Sequence, residues 1–308
     1  NGGTDTSETI LRDADSAMYR AKEGGRNRVE EFDERTHTRA VANLETGNGM
    51  FRALAQHEFQ THYQPAIDIR TGKLAGFEAL VYWEHPTQGH ISPKDFIALA
   101  EETGVIVPLG MRVFEMACSQ LHQWHQMSDD ARQLTMSVNL SPRQLTEPSL
   151  FNEVVRVLER TGVDSSKIWF EITETALMTD VESTIVMLEQ IRTLGIHFAV
   201  DDFGTGYSSL SYLKKFPVEA LKVDQSFVAG LGTDAEDTAI VSAVVSLAHS
   251  LGLKAIAEGV EQPTQLAELR TLGCEFAQGF IFSTPKAAKY WNDYVVSNDI
   301  FRFSDEKI

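Results

Sequence analysis

From residue 58 onward the chain alternates between two spacings of hydrophobic positions. Short runs rich in β-branched and aromatic residues predict strands over 58–69, 76–83, 134–140, 167–172, 197–202, 220–224, 254–258 and 275–282. Between the later runs, apolar residues recur at the spacing of one helix face and predict helices over 149–161, 182–194, 235–251 and 264–272. Several of these helices end in glycine, at Gly162, Gly195, Gly252 and Gly273, where a left-handed residue stops a helix without a Cβ clash. The Met and aromatic positions of 111–127 also share one helix face, which assigns them to the core. In "DIRTGKLAG" the Thr71-Gly72-Lys73 centre reads as a hairpin turn, so the first strand pair is antiparallel. The remaining strand-helix alternation calls for a parallel α/β sheet. A TIM-like (β/α)8 barrel with an antiparallel first strand pair fits best, ahead of an open doubly wound sheet.

The N-terminal stretch breaks this rhythm. Residues 1–32 offer one amphipathic helix and a short strand over 28–32, too little to form a core, and read as the tail of a preceding domain. Residues 33–57 are polar, good helix formers and suit a connecting helix, which leaves 58–300 for the barrel.

Composition narrows the class. At 308 residues and 43% hydrophobic content the chain can bury a sizeable core. It holds no apolar run of the roughly 18–20 residues a spanning helix needs and no basic-then-apolar start, so a soluble, cytoplasmic chain is expected. Cys118 and Cys274 form no CxxC pair and read as buried small hydrophobes in a reducing compartment. A formal charge of −17 argues against nucleic-acid polymers as partners and leaves room for bound cations.

The acids gather at particular places. "FEITETALMTD" (170–180) and "HFAVDDFGTGYSSL" (197–210) each run from an apolar strand straight into carboxylates. The C-terminal ends of the predicted strands, where α/β barrels place their chemistry, carry Glu78, Asn139, Glu171 and Glu174, Asp201 and Asp202, Lys222 and Asp224, Glu258 and Glu261, and Gln278. Acids in hydrophobic strands cost several kcal/mol each unless paired, so six of them are poorly explained as rim residues. Oxygen ligands with one lysine, and no His or Cys cluster, favour Mg²⁺ or Mn²⁺ over zinc. Two adjacent aspartates can bridge two ions, the arrangement that displaces a phosphoester with water. A lysine facing carboxylate-bound metal also suits an enolising or lyase barrel, against which stands the Asp201-Asp202 pair. Gly204 and Gly206 lack a P-loop lysine and read as hinges of a loop over the site. His62, His85, His197 and His249 have no ligand spacing and read as packing or surface residues.

In order along the chain, "YQPAID", "FEALVYW", "SVNLSPRQL", "FEITET", "VDDFGTGYSSL", "LKVD", "AEGVE" and "AQGFIFSTP" resemble the EAL-domain cyclic-di-GMP phosphodiesterases over about residues 45–285. "RDADSAMYRAKEGGRNRVEEF" resembles the end of a GGDEF domain, without the GGDEF motif itself. The resemblance implies a barrel that binds cyclic di-GMP across the strand C-termini and hydrolyses it to linear pGpG with two Mg²⁺ or Mn²⁺ ions. It implies that Glu78, Asn139, Glu171 and Asp201 hold one ion and that Asp201, Asp202 and Glu258 hold the other. Lys222 contacts the attacking water, Glu174 anchors the DDFGTGYSS loop, and Glu261 completes the pocket. Gln64, Tyr82, Ser141, Arg143 and Gln278 form the substrate-binding set. Tyr82 stands where the family usually carries arginine, which implies weaker substrate affinity or, alternatively, a receptor that binds without cutting. A homodimer formed through the helix after the DDFG loop and the 235–251 helix, with GGDEF and sensory domains upstream that could include a membrane anchor, is the expected setting.

Overall fold

A computed structural model of the chain describes residues 49–206 and 210–297. By its contacts the chain divides into Asn1–Gln56 and His57–Ile308. Of the first unit only 49–56 is described, with a helix over 49–55; the expected cyclase tail and most of the expected connecting helix lie outside the described residues.

The second unit is built on strands β1 (Phe59–Asp68), β2 (Leu74–His85), β3 (Gly89–Ile91), β4 (Thr135–Asn139) and β5 (Ile168–Thr173), followed by β6 (His197–Phe203), β7 (Ala220–Val223), β8 (Lys254–Ala257), β9 (Phe276–Gln278) and β10 (Lys286–Ala287). Hydrogen bonding runs in the order β10-β1-β9-β8-β7-β6-β5-β4-β2-β3, and β1 also pairs with β2, which closes an eight-stranded barrel. The first pair is antiparallel as expected, and β1 is antiparallel to β9 as well, so β1 alone runs against the barrel. Beyond the barrel wall, β3 pairs with the far end of β2 and prolongs that side of the mouth.

Helices cover the outer face. Met136, Val138, Ile168, Phe170 and Ile172 point outward and are buried, with Phe114 of the Ile106–His125 helix packed on Phe170 at 5.0 Å between ring centroids. The helices Leu150–Thr161 and Pro263–Leu272 stop at left-handed Gly162 and Gly273, as their sequences predict. Cys118 and Cys274 are both buried and unpaired.

The last predicted strand, 275–282, is cut short. Gly279 lies so close to the backbone of Val260 that a Cβ there would collide with it. Val260 donates its N–H to Gln278 O at 3.0 Å and accepts from Ile281 N–H at 3.0 Å, so a turn replaces the strand after Gln278. Backbone pairing with a loop has taken the place of a ladder, which hydrophobicity alone does not reveal.

Candidate active site

Directly paired residues of a sheet share a face, and faces alternate along each strand. Following the register around the barrel, Gln64 pairs with Glu78, Glu78 with Ser137, Asn139 with Glu171, Thr173 with Asp201, Ala199 with Ala220, Lys222 with Ile256, and Ala66 with Gln278. Gln64, Glu78, Asn139, Glu171, Asp201, Lys222 and Gln278 therefore all face the interior near one end. Glu258, two residues beyond Ile256, joins them.

Lys222, 1% exposed, stands at the centre. Its Nζ lies 2.5 Å from Glu171 Oε2, 3.1 Å from Asp201 Oδ1 and 3.7 Å from Glu78 Oε2, and it is also ion-paired with Glu258. Glu78 is held from both sides, by Asn139 Nδ2 donating to Oε1 at 2.6 Å and Gln278 Nε2 donating to Oε2 at 2.7 Å. The same Gln278 amide donates to Gln64 Oε1 at 3.0 Å, and Gln64 donates to Ser283 O at 3.3 Å.

In a regular strand Asp201 and Asp202 would face opposite sides. The β6–β7 ladder is interrupted between Val200 and Phe203, and Asp202 adopts a φ of 52° that Asp tolerates better than most residues. The irregularity brings both acids to the site, where oxygens of Asp201, Asp202 and Glu258 lie within 4.8 Å of one another. Asp202 lies close enough to Asp224 to feel its charge, and the Asp224 carboxylate accepts from Ser226 N–H at 2.9 Å and caps the Gln225–Ala229 helix. Sequence reading placed Asp224 at a strand end without a role; the adjacent "LKVD" acid is the signal that marked it.

Glu174 is buried and accepts from Gly204 N–H at 3.0 Å through Oε2. Its Oε1 is buried with no partner among the described residues and sits 2.8 Å from where a Cβ on Gly206 would fall. Glu174 is thus tied to the first glycine of the segment after Asp202. Arg143, Ser141 and Glu261, also expected in the site, make the following contacts. Arg143 Nη1 donates to Glu101 O at 2.5 Å and Glu102 O at 3.1 Å, the C-terminal carbonyls of the Pro93–Thr103 helix. Ser141 caps the short Pro142–Leu145 helix in a reciprocal box with Gln144, a pattern readable in "SPRQ" but passed over. Glu261 is exposed on the rim, and its backbone N–H, rather than its carboxylate, is the bonded group, donating to Gln265 Oε1 at 2.8 Å. Tyr82, half-buried, stacks on His90 and lies tilted against His62, each at 4.6 Å between centroids.

One ammonium faces four carboxylates. Burial alone would pull the Lys222 amine down, but Asp201, Glu171, Glu258 and Glu78 outweigh it and hold the amine well above its ordinary value. The acids are pushed upward too, away from their charged forms. Burial raises Glu258 to about 8, with Asp201 and Glu78 adding to the shift and Lys222 opposing it. Burial, then Glu78, raises Glu171 as well. Burial, then Asp201 and Asp224, raises Asp202 to about 6. A cluster with more acid than its lysine can neutralise, lined by carboxylates and neutral amides, fits a hard divalent cation, and Asp201, Asp202 and Glu258 are grouped so that they could hold one.

These raised carboxyls bind protons more tightly in the folded chain than in the unfolded one. Their stabilising contribution is complete below their ordinary values of 3.8 and 4.5 and is lost as pH rises through about 6 for Asp202 and about 8 for Glu258. The Lys222 shift acts above 10.5 and does not enter that window. In chelator, Tm should fall between about pH 5 and pH 8, with Glu258→Gln removing part of the fall and millimolar Mn²⁺ restoring Tm at the alkaline end. A Tm that is flat or rising over that range in chelator would contradict this electrostatic reading.

The family model for the EAL domain matches residues 48–285. The chain is 39% identical over 288 residues to the bifunctional diguanylate cyclase/cyclic di-GMP phosphodiesterase MucR of Pseudomonas aeruginosa, covering 94% of this chain and 42% of that protein. It is 40% identical over 282 residues to the cyclic di-GMP phosphodiesterase PdeR of Escherichia coli, covering 92% of this chain and 42% of that one. It thus spans well under half the length of these curated relatives. Among solved structures, the MucR phosphodiesterase in complex with c-di-GMP superposes with a TM-score of 0.76 at 40% identity, over 80% of this chain and 99% of that chain. Sequence motifs, a closed barrel and a carboxylate cage at its mouth converge on one assignment: the chain belongs to the EAL domain family.

Proposed function

We propose that this chain is a divalent-metal-dependent phosphodiesterase that hydrolyses cyclic di-GMP to linear pGpG. The observation that carries the reading is the cage of Glu78, Glu171, Asp201 and Glu258 around Lys222, extended by Asn139 and Asp202. The names of MucR and PdeR, and the c-di-GMP bound to the MucR structure, support the substrate.

In this reading Glu78, Asn139, Glu171 and Asp201 hold one Mg²⁺ or Mn²⁺, and Asp201, Asp202 and Glu258 hold the second. Bound there, such ions supply Lewis acidity and lower the pKa of water. Lys222, whose Nζ sits among Glu171, Asp201 and Glu258, would contact and orient the attacking water. Glu174 fixes the glycine loop over the site through Gly204. The amides of Gln64 and Gln278 present neutral hydrogen-bonding groups beside Glu78. A mostly apolar cavity of about 430 Å³ runs from Asn139, Ser141 and Glu171 past Leu80 to Ile97 and Leu109, ample room for one nucleobase. A homodimer acting in the cytoplasm, with upstream GGDEF and sensory domains, completes the proposal and rests on the family resemblance.

Tyr82, in place of the family's usual arginine, favours a second reading in which the chain is a receptor that binds without turnover. Incubation of the purified chain with cyclic di-GMP and Mg²⁺ or Mn²⁺ should yield pGpG, abolished by Glu78→Ala and by chelator; bound but intact substrate would support the receptor. Tyr82→Arg restores a charge-assisted contact and should lower KM about three- to tenfold with kcat retained. An unchanged KM would remove Tyr82 from the substrate account.

A further inference from the structure

The inner face that carries Gln64 and Glu78 does not stop at the metal-site layer. On β2 the same face continues through Leu80 and Tyr82 to Glu84; on β1 it carries His62, opposite Leu80, and on β3 it carries His90, opposite Glu84. His62 and His90 are therefore the diagonal cross-strand neighbours of Tyr82, within reach of ring contact. The rings meet accordingly. Tyr82 lies 4.6 Å from His62 at 37° and 4.6 Å from His90 at 27°, while the two imidazoles are 6.0 Å apart. Glu84 Oε1 fixes His90 at 2.7 Å through Nδ1.

Packing of the strands does not require this cluster. Their opposite face already does that work, with Phe59, Trp83 and Phe96 buried and in ring contact at 5.3 Å and 5.6 Å. The His90 side chain, by contrast, is 45% exposed, and Tyr82 and His62 are only partly covered. Tyr82 lies four residues beyond Glu78, about 13 Å along the strand, and its side chain still feels the Glu78 charge. A cyclic dinucleotide has two phosphates, and the carboxylate cage is suited to only one of them. Of the nearby cations, Lys222 sits inside the cage and Arg143 Nη1 donates to helix-end carbonyls, while Lys286 of β10 lies beside His62. On the β2 wall itself Tyr82 supplies a neutral donor for the second phosphate.

We infer that His62 and His90 are positioning residues that clamp the Tyr82 ring, so that its hydroxyl is aimed as a hydrogen-bond donor to the substrate phosphate outside the carboxylate cage. This rests on the proposed phosphodiester substrate. The three rings set substrate affinity and leave the chemical step alone.

Steady-state kinetics on cyclic di-GMP with Mn²⁺ test the assignment. His62→Ala and His90→Ala should each raise KM about three- to tenfold with kcat within about twofold, and His62→Phe, which keeps a ring, should restore KM. Tyr82→Phe, which keeps the stack and loses the donor, should raise KM similarly. In a Tyr82→Ala background, His62→Ala should change KM no further, because the clamp then has nothing to hold. Additive KM effects in that background, a fall in kcat, or failure of His62→Phe to rescue would overturn the clamp while leaving the proposed activity intact. Absence of pGpG from the unaltered chain would instead overturn the proposed activity, and the clamp with it.

Discussion

The structure turns on an imbalance of charge. Glu78, Glu171, Asp201 and Glu258 converge on the single ammonium of Lys222 in a place almost closed to water, and Asp202 stands at their edge. Removing acids from water costs several kcal/mol apiece unless they are paired, and one lysine cannot pair them all. The protonation shifts record the strain, with Glu258 raised to about 8 and Asp202 to about 6. A fold optimised for stability alone would place apolar residues there. In the proposed reading the barrel keeps the acids because cations complete them.

The rest of the architecture serves to hold that imbalance. An eight-stranded closed sheet has no edge, so the register is shared all round and the inward-facing acids are delivered to one level. Neutral amides finish the level: Asn139 and Gln278 hold the two oxygens of Glu78 apart, and Gln64 ties Gln278 to the reversed strand β1. The interruption at Asp202 breaks strand alternation to bring in a further carboxylate, a local backbone cost located where the chemistry needs it.

Much of this was legible in the chain. Short apolar runs ending in acid located the strands and the side of the barrel that matters, and glycine stops bounded the helices. The hairpin at Thr71-Gly72-Lys73 set the first pair antiparallel. What escaped was non-local. That β1 also runs against β9, and that Gly279 must lie against Val260, depend on how distant segments meet. Arg143 looked available for an anion, and its Nη1 also donates to the Glu101 and Glu102 carbonyls at the end of the Pro93–Thr103 helix, which a linear reading cannot bring beside it. Likewise His62 and His90 carry no ligand spacing, and only register shows that both flank Tyr82.

Because the excess charge explains both the buried acids and the proposed chemistry, counting bound cations tests the account at its root. Titration of the chelator-treated chain with Mn²⁺ at about pH 8, followed by electron paramagnetic resonance, should saturate at two ions per chain and weaken markedly near pH 6, where protons compete for the same carboxylates. Saturation at one ion would contradict the two-ion cage. No binding at all would mean that the acids around Lys222 are held together for some other reason.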